Sequence, residues 1–292
     1  MNFKDLRYFQ KLSEKKSFSE TAKFFQVSQP TITYALKRLE SEYGVMLVER
    51  KSYANSLQLT PAGTQLQQHI QRILHEDQLI SHDLRRIKSR QIKVGLPPII
   101  TNYLFPKVFS TLQREKLLST IEPIVNGSHK LEQLLQTGQL DISLLGSTSL
   151  PQDPNLSYQI IRAHQFKLIA SIDHHFKMPL NITDLAQEDF ILLDEQSVHQ
   201  QVFQYFTQKY QVVPNVIYQT SEYRLLLDLV KQNQGISFIT ETAILGEGGI
   251  QQLPIPNLQL PPFYLLLVYR NSSLPDPQLQ KLIDIFSTIP FL

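Results

Sequence analysis

The chain of 292 residues contains no cysteine, which excludes disulfides and thiolate metal sites and fits a reducing compartment. It also lacks any run approaching the ~18 apolar residues of a membrane span. The longest apolar patch, Phe263-Tyr264-Leu265-Leu266-Leu267-Val268-Tyr269, has the length of a buried strand. The first residues, Met1-Asn2-Phe3-Lys4-Asp5, show neither the basic start nor the apolar stretch of a signal peptide. A cytoplasmic protein with no membrane partner is therefore expected. No P-loop or glycine-rich dinucleotide fingerprint is present. His174-His175 are adjacent, so on a strand they would face opposite ways and could not share a metal. Asp194, Ser197 and His199 lie close in sequence but lack a nucleophile-elbow motif and are too local to resemble a triad. These absences point away from an enzyme, a metal site or a cofactor.

Glycine and proline are scarce in one region only. Before residue 91 there are just Gly44, Gly63, Pro30 and Pro61, whereas eight glycines and fifteen prolines follow. The first third therefore reads as mostly helical and the remainder as strands and helices joined by turns. Charge divides at the same place. Residues 1–90 carry 15 Lys and Arg against 9 Asp and Glu, net +6, while residues 91–292 are net −4. A basic first third points to a polyanion as its partner, with chance asymmetry as the plainer alternative. The apolar share, 42%, and the length suggest two or three packed units.

Phe3, Leu6, Phe9 and Leu12 predict a first helix over 3–15. Ser17-Phe18-Ser19-Glu20 has the form of a capping box and starts a second. Ser28 as N-cap and Pro30 in the first turn start a third, which runs to Gly44. Two short helices joined by Phe25-Gln26-Val27-Ser28 match helix-turn-helix spacing. In the third helix Ile32, Ala35, Leu36 and Leu39 recur at the spacing of a core face. The opposite face carries Ser28, Gln29, Pro30, Thr31, Thr33, Tyr34, Lys37 and Arg38, whose hydroxyl, amide and basic groups suit base edges and phosphates. A solvated helix face is the plainer alternative. Segments 47–50 and 57–59 form a small hairpin, with Arg50 and Lys51 at its tip. Thr60-Pro61 then opens a helix that meets no breaker until about residue 88, roughly 40 Å. Leu66, Ile70, Ile73, Ile80, Leu84 and Ile87 form its apolar seam, interrupted by Asp77. Such a seam suits a partner helix, in a second copy or in the same chain. Beyond residue 91, strands and helices alternate as in a parallel α/β sheet.

Residues 1–63 resemble the DNA-binding domain of LysR-type transcriptional regulators. The resemblance rests on Leu6-Arg7-Tyr8-Phe9, Ser17-Phe18-Ser19 with Ala22, Val27-Ser28-Gln29-Pro30, Leu39-Glu40, Gly44-Val45 with Leu47, Glu49-Arg50, and Leu59-Thr60-Pro61-Ala62-Gly63. Thr31, Thr33 and Tyr34 depart from the family's usual residues at positions facing DNA, and Val48 replaces a usual Phe. Leu104-Phe105-Pro106, Asn126-Gly127-Ser128, Gly138-Gln139-Leu140-Asp141-Ile142 and Gln234-Gly235-Ile236 extend the resemblance more weakly over the rest.

The resemblance implies an α/β protein with an N-terminal winged helix-turn-helix (1–60), a dimerising linker helix (61–90) and an effector-binding domain (91–292) like the type 2 periplasmic binding proteins. Its two subdomains are expected at about 91–161 with 265–292, and at 162–264, flanking a cleft. In such folds ligands sit where strand ends and helix N-termini converge. The candidates are Pro97, Pro98, Ile99, Ile100, Thr101, Ser128, Gly146, Ser147, Thr148, Ser197, His199, Thr220 and Ser221, each of which could equally be a cap or turn. The expected function is a regulator, an activator by family habit, that binds promoter DNA as a dimer or tetramer. It would answer to a small carboxylate-bearing effector and could meet RNA polymerase. A fainter likeness is to regulators of organic-acid (malolactic-type) metabolism. A solute-binding protein without a regulatory role is the alternative; the basic N-terminal domain and the absence of a signal peptide argue against it.

Overall fold

A computed structural model describes residues 2–50, 57–89, 91–176, 180–271 and 276–288. The chain divides into two compact units, Met1–Arg85 and Arg86–Leu292.

The first unit contains α1 (Phe3–Lys15), α2 (Phe18–Phe25), α3 (Gln29–Tyr43), the hairpin β1 (Val48–Arg50) with β2 (Leu57–Leu59), and α4 (Pro61–Ser89), which continues into the second unit. Each start and stop has a local cause. Ser17 accepts a hydrogen bond from the Glu20 N–H at 3.3 Å, and Gly44 ends α3 at φ +68°, where a side chain would strain the backbone. The Thr60 hydroxyl donates to Met46 O at 2.7 Å and accepts from the Gly63 N–H at 2.9 Å, fastening the start of α4 to the chain ahead of the wing. A Cβ on Gly63 would lie 2.0 Å from Leu47 O, so only glycine permits this approach. Leu6, Phe9, Leu12, Ile32, Leu36, Leu39 and Leu47 form the core.

The first half of α4 belongs to that core as well. Ile70 is 0% exposed and Leu74 7%, with Leu66 and Ile73 packed against the same cluster. Asp77, the polar interruption of the seam, pairs with Arg7 at 2.7 Å. The six-residue seam read from the sequence is thus split. Leu66, Ile70 and Ile73 are occupied within their own domain, Ile80 and Leu84 are exposed at 57% and 62%, and the Ile87 side chain lies outside the described residues.

In the second unit β3 (Ile92–Leu96), α5 (Pro98–Arg114), β4 (Ile121–Val125), α6 (Ser128–Gln136) and β5 (Ile142–Ser147) come first, and β3 pairs in parallel with both β4 and β5. They are followed by β6 (Leu156–His164), β7 (Phe166–Ser171), β8 (Asp189–Leu193), α7 (Val198–Tyr210), β9 (Asn215–Thr220), α8 (Tyr223–Lys231), β10 (Ser237–Thr240), α9 (Glu241–Ile244), β11 (Ile250–Gln252), β12 (Phe263–Arg270) and α10 (Pro277–Ser287). One sheet has the order β4-β3-β5-β12-β6. The other subdomain holds β10-β7-β11 and β8-β9, linked by a bridge between Phe190 and Ile236.

Two boundaries differ from the sequence reading. The chain crosses between subdomains at Gln165 rather than at 161, because β6 stays paired with β12 as far as His164 opposite Phe263. It returns just before Phe263, two residues earlier than expected, by the same pairing. The candidates Pro98 to Thr101 form the first turn of α5: Pro98 stands at a helix start, where its missing N–H costs nothing.

Candidate functional site

On α3 the apolar stripe Ile32, Ala35, Leu36 and Leu39 is buried, so the opposite face is turned outward. Ser28, Gln29, Pro30, Tyr34 and Lys37 are exposed there, and Thr31 and Thr33 are half-buried. Ser28 holds the N-cap position without a side-chain cap bond; its hydroxyl lies 2.9 Å from that of Thr31. Ser19 of α2 donates to Gln29 Oε1 at 3.2 Å, orienting the amide, and Thr33 donates to Gln29 O at 3.2 Å. The first turn of α3 therefore offers hydroxyls, an oriented amide and N–H groups that no side chain caps, a set suited to base edges and phosphates.

Arg38 departs from the sequence reading. Its Nε and a terminal nitrogen donate to the two carboxylate oxygens of Asp5 at 2.8 and 2.6 Å, and the Asp5 side chain is only 4% exposed. The Nε edge of the guanidinium is spent on a buried carboxylate of α1, so Arg38 ties α3 to α1 while its side chain stays 56% exposed. The Arg38 pKa is raised by this hydrogen bond. Lys37, its neighbour, stays exposed. At the wing, the Arg50 side chain and all of Lys51 lie outside the described residues.

In the second unit a cleft of about 280 Å³ opens between the subdomains. Pro97, Pro98, Ile99, Ile100, Ser128, Gly146, Ser197, His199 and Ser221 line it, as the sequence suggested. Thr101, Ser147, Thr148 and Thr220 do not. The Thr101 hydroxyl donates back to Pro97 O at 2.7 Å, Ser147 to Ser149 O at 2.6 Å, and Thr220 Oγ1 accepts from the Glu222 N–H at 3.0 Å. These three hydroxyls make local turn contacts. The cleft also takes in Asn126, Asp194, Gln196, Glu222, Tyr223, Thr240 and Phe263. Gly146 is required by the packing, because a Cβ there would stand 2.5 Å from the Phe263 ring. Asn102 of α5 donates to the Tyr223 hydroxyl of α8 at 2.7 Å, joining the two subdomains.

The hydrogen bonds around the two serines fix what they can offer. Ser128 Oγ accepts from the Gly146 N–H at 2.9 Å. His199 Nε2 accepts from the Thr240 N–H at 3.3 Å, which identifies Nδ1 as the protonated nitrogen; Nδ1 then donates to Ser197 Oγ at 2.9 Å. Burial lowers the His199 pKa to about 3, so the ring is neutral. Ser197 Oγ also accepts from the His199 N–H at 3.2 Å. Ser197 Oγ thus accepts two hydrogen bonds and Ser128 Oγ one, and each serine has an O–H left to give. They stand at the N-termini of α6 and α7, and both line the cleft.

The bacterial regulatory helix-turn-helix protein signature of the lysR family matches residues 3–64, and the LysR substrate binding domain matches residues 85–288. The chain belongs to the LysR family of transcriptional regulators. This LysR-family regulator is 32% identical over 292 residues to a malolactic fermentation system transcriptional activator of Lactococcus lactis subsp. lactis (strain IL1403), with 99% of each chain covered. It is 29% identical to a hydrogen peroxide-inducible genes activator of Haemophilus influenzae, over 94% of this chain and 92% of that one. In fold it resembles Vibrio fischeri DarR, solved in complex with DNA, at a TM-score of 0.56 and 20% identity over 99% of each chain. It also resembles an OxyR of Corynebacterium glutamicum, at a TM-score of 0.53 and 23% identity over 98% of this chain and 92% of that one. As a family member the regulator binds DNA through its N-terminal unit and responds to an effector through its C-terminal unit.

Proposed function

We propose that this regulator activates transcription from the cytoplasm, binding its operator as a dimer or a dimer of dimers, and that its effector is a small carboxylic acid held in the cleft. One observation carries the effector class. Ser128 and Ser197 both line the cleft, each at a helix N-terminus with an O–H to donate, and such a pair suits the oxygens of a carboxylate. The Lactococcus relative's name, which ties it to malolactic fermentation, supports an organic acid. A thiol switch is closed to this chain, which has no cysteine, so the likeness to a peroxide-responsive activator does not extend to thiol oxidation.

Self-association is supported by apolar side chains in water. Ile80 and Leu84 on α4 are exposed, and so are Ile217, Tyr218 and Leu225 along β9 and α8. RNA polymerase is the further partner an activator requires. The reading is tested by pulling genomic fragments from solution with purified protein at two salt concentrations, with and without a panel of organic acids. A few promoters whose capture weakens with salt and shifts with one acid support it. Capture that no acid alters, together with no thermal shift for any acid, refutes the effector class.

A further inference from the structure

The cleft has a second chemical character beyond its two serines. Asp194 and Glu222 line it, and none of its lining residues is Lys or Arg. Its histidine, His199, is buried, and both ring nitrogens are engaged by Ser197 and the Thr240 backbone. Asp194 is half-buried, and Glu222 is exposed at the N-cap of α8. No hydrogen bond or ion pair is found for the Asp194 carboxylate among the described residues. Thr240 adds an independent sign of an absent partner. It is 0% exposed, it lines the cleft, and its Oγ1 is buried with no hydrogen-bond partner among the described residues. A buried hydroxyl left unpaired costs free energy that a bound ligand or water recovers.

Asp194 and Glu222, both on the second subdomain, make one part of the cleft rich in negative charge. Ser128, Ser197 and the first turns of α5 and α6 make the rest a donor surface. A ligand with two carboxylates would place its second negative charge against like charges, with no cation to offset it. Ser197 and Asp194 close one backbone turn, the Ser197 N–H donating to the Asp194 main-chain carbonyl at 3.0 Å. One donor residue and one acidic residue therefore reach the cleft from the same short turn ahead of α7.

We infer that the effector is an α-amino acid, its carboxylate received by Ser128 and Ser197 and its ammonium group by Asp194 and Glu222. The inference rests on the carboxylate reading of the cleft and narrows it. The ammonium supplies the donors that the two acidic residues and Thr240 lack, and it separates this ligand class from hydroxy acids of the same shape.

The test uses isosteric pairs in which a hydroxyl replaces the ammonium: L-alanine against L-lactate, L-serine against L-glycerate, and L-aspartate against L-malate. Calorimetry and thermal shift are run on the full chain at neutral pH and constant ionic strength. In at least one pair the amino acid is expected to bind about tenfold or more tightly than its hydroxy partner. Asp194→Asn should erase that preference by weakening the amino acid and not the hydroxy acid. Glu222→Gln, at an exposed position, repeats the measurement if Asp194→Asn does not fold. A hydroxy acid that binds as tightly as its amino partner overturns the ammonium assignment and leaves the carboxylate cleft standing. No binding by any member of the three pairs refutes the carboxylate cleft, and the ammonium assignment with it.

Discussion

The DNA-binding unit and the sensor unit present their recognition groups in different ways. From Ser28 to Lys37 the outward groups sit on one helix, and their alternation with Ile32, Ala35, Leu36 and Leu39 follows from helical period alone. The cleft draws on Pro97, Ser128, Gly146, Ser197, Thr240 and Phe263, from the ends of several strands and helices. A surface made from one element survives as long as that element is held in place. A surface made from many elements depends on each contact between them, and here it gains features no single segment has, such as an O–H fixed as a donor by a histidine that is itself fixed by a distant amide.

The sharpest break in that comparison is expected at Gly63. Gly63→Ala forces a Cβ against Leu47 O and should cost the DNA-binding unit about 3 kcal/mol or more. Operator binding should disappear while the C-terminal unit keeps its own thermal transition, measured by calorimetry.

The second effect is confined to the sensor unit. His199 has a folded pKa of about 3 against 6.5 in the unfolded chain. Above pH 6.5 both states are neutral and nothing is lost. As pH falls from there toward 3 the unfolded state takes up the proton first, so stability falls by up to about 1.4 kcal/mol per pH unit. Denaturant titrations of wild type and His199→Gln across this range should show a shallower slope in the variant.

A third measurement separates two neighbours on one helix. Arg38→Ala strips the partner from buried Asp5 and should destabilise the DNA-binding unit by about 1–3 kcal/mol. Lys37→Ala should leave its melting unchanged and weaken DNA binding across all sequences, with a smaller salt slope. Equal melting of the two variants would show that the Asp5 pair contributes nothing.

The smallest effect is at Ser128. Ser128→Ala removes one donor from the cleft and should weaken effector binding by about 1 kcal/mol, with operator affinity in the absence of effector unchanged. Titration of effector against operator binding measures both quantities together.

What could be read in the sequence follows the same division. The three N-terminal helices, their caps and the buried face of α3 are local, and periodicity with Ser17, Pro30 and Gly44 found them. Arg38 looked like its neighbours because its partner, Asp5, lies on another helix. Ile70 looked like a seam residue because a core face and a pairing face have the same period, and only packing tells them apart. Ser128, Ser197 and His199 were found from the logic of helix N-termini. Asn126, Thr240 and Phe263 were missed because strand order brings them to the cleft from separate parts of the chain, and their own segments carry no signal.

The long helix α4 carries one more consequence. It is seated in the DNA-binding unit by Ile70 and Leu74 and pinned again where Asp77 meets Arg7. Beyond Asp77 it runs on to Ser89 as unbroken helix. Each residue inserted into that stretch would turn the rest of the helix by about 100° and advance it by about 1.5 Å. Seven inserted residues come within about 20° of whole turns. The Arg7–Asp77 pair therefore fixes the rotation of α4 about its own axis within the DNA-binding unit, and the faces that carry Ile80 and Leu84 are set by their count from Asp77.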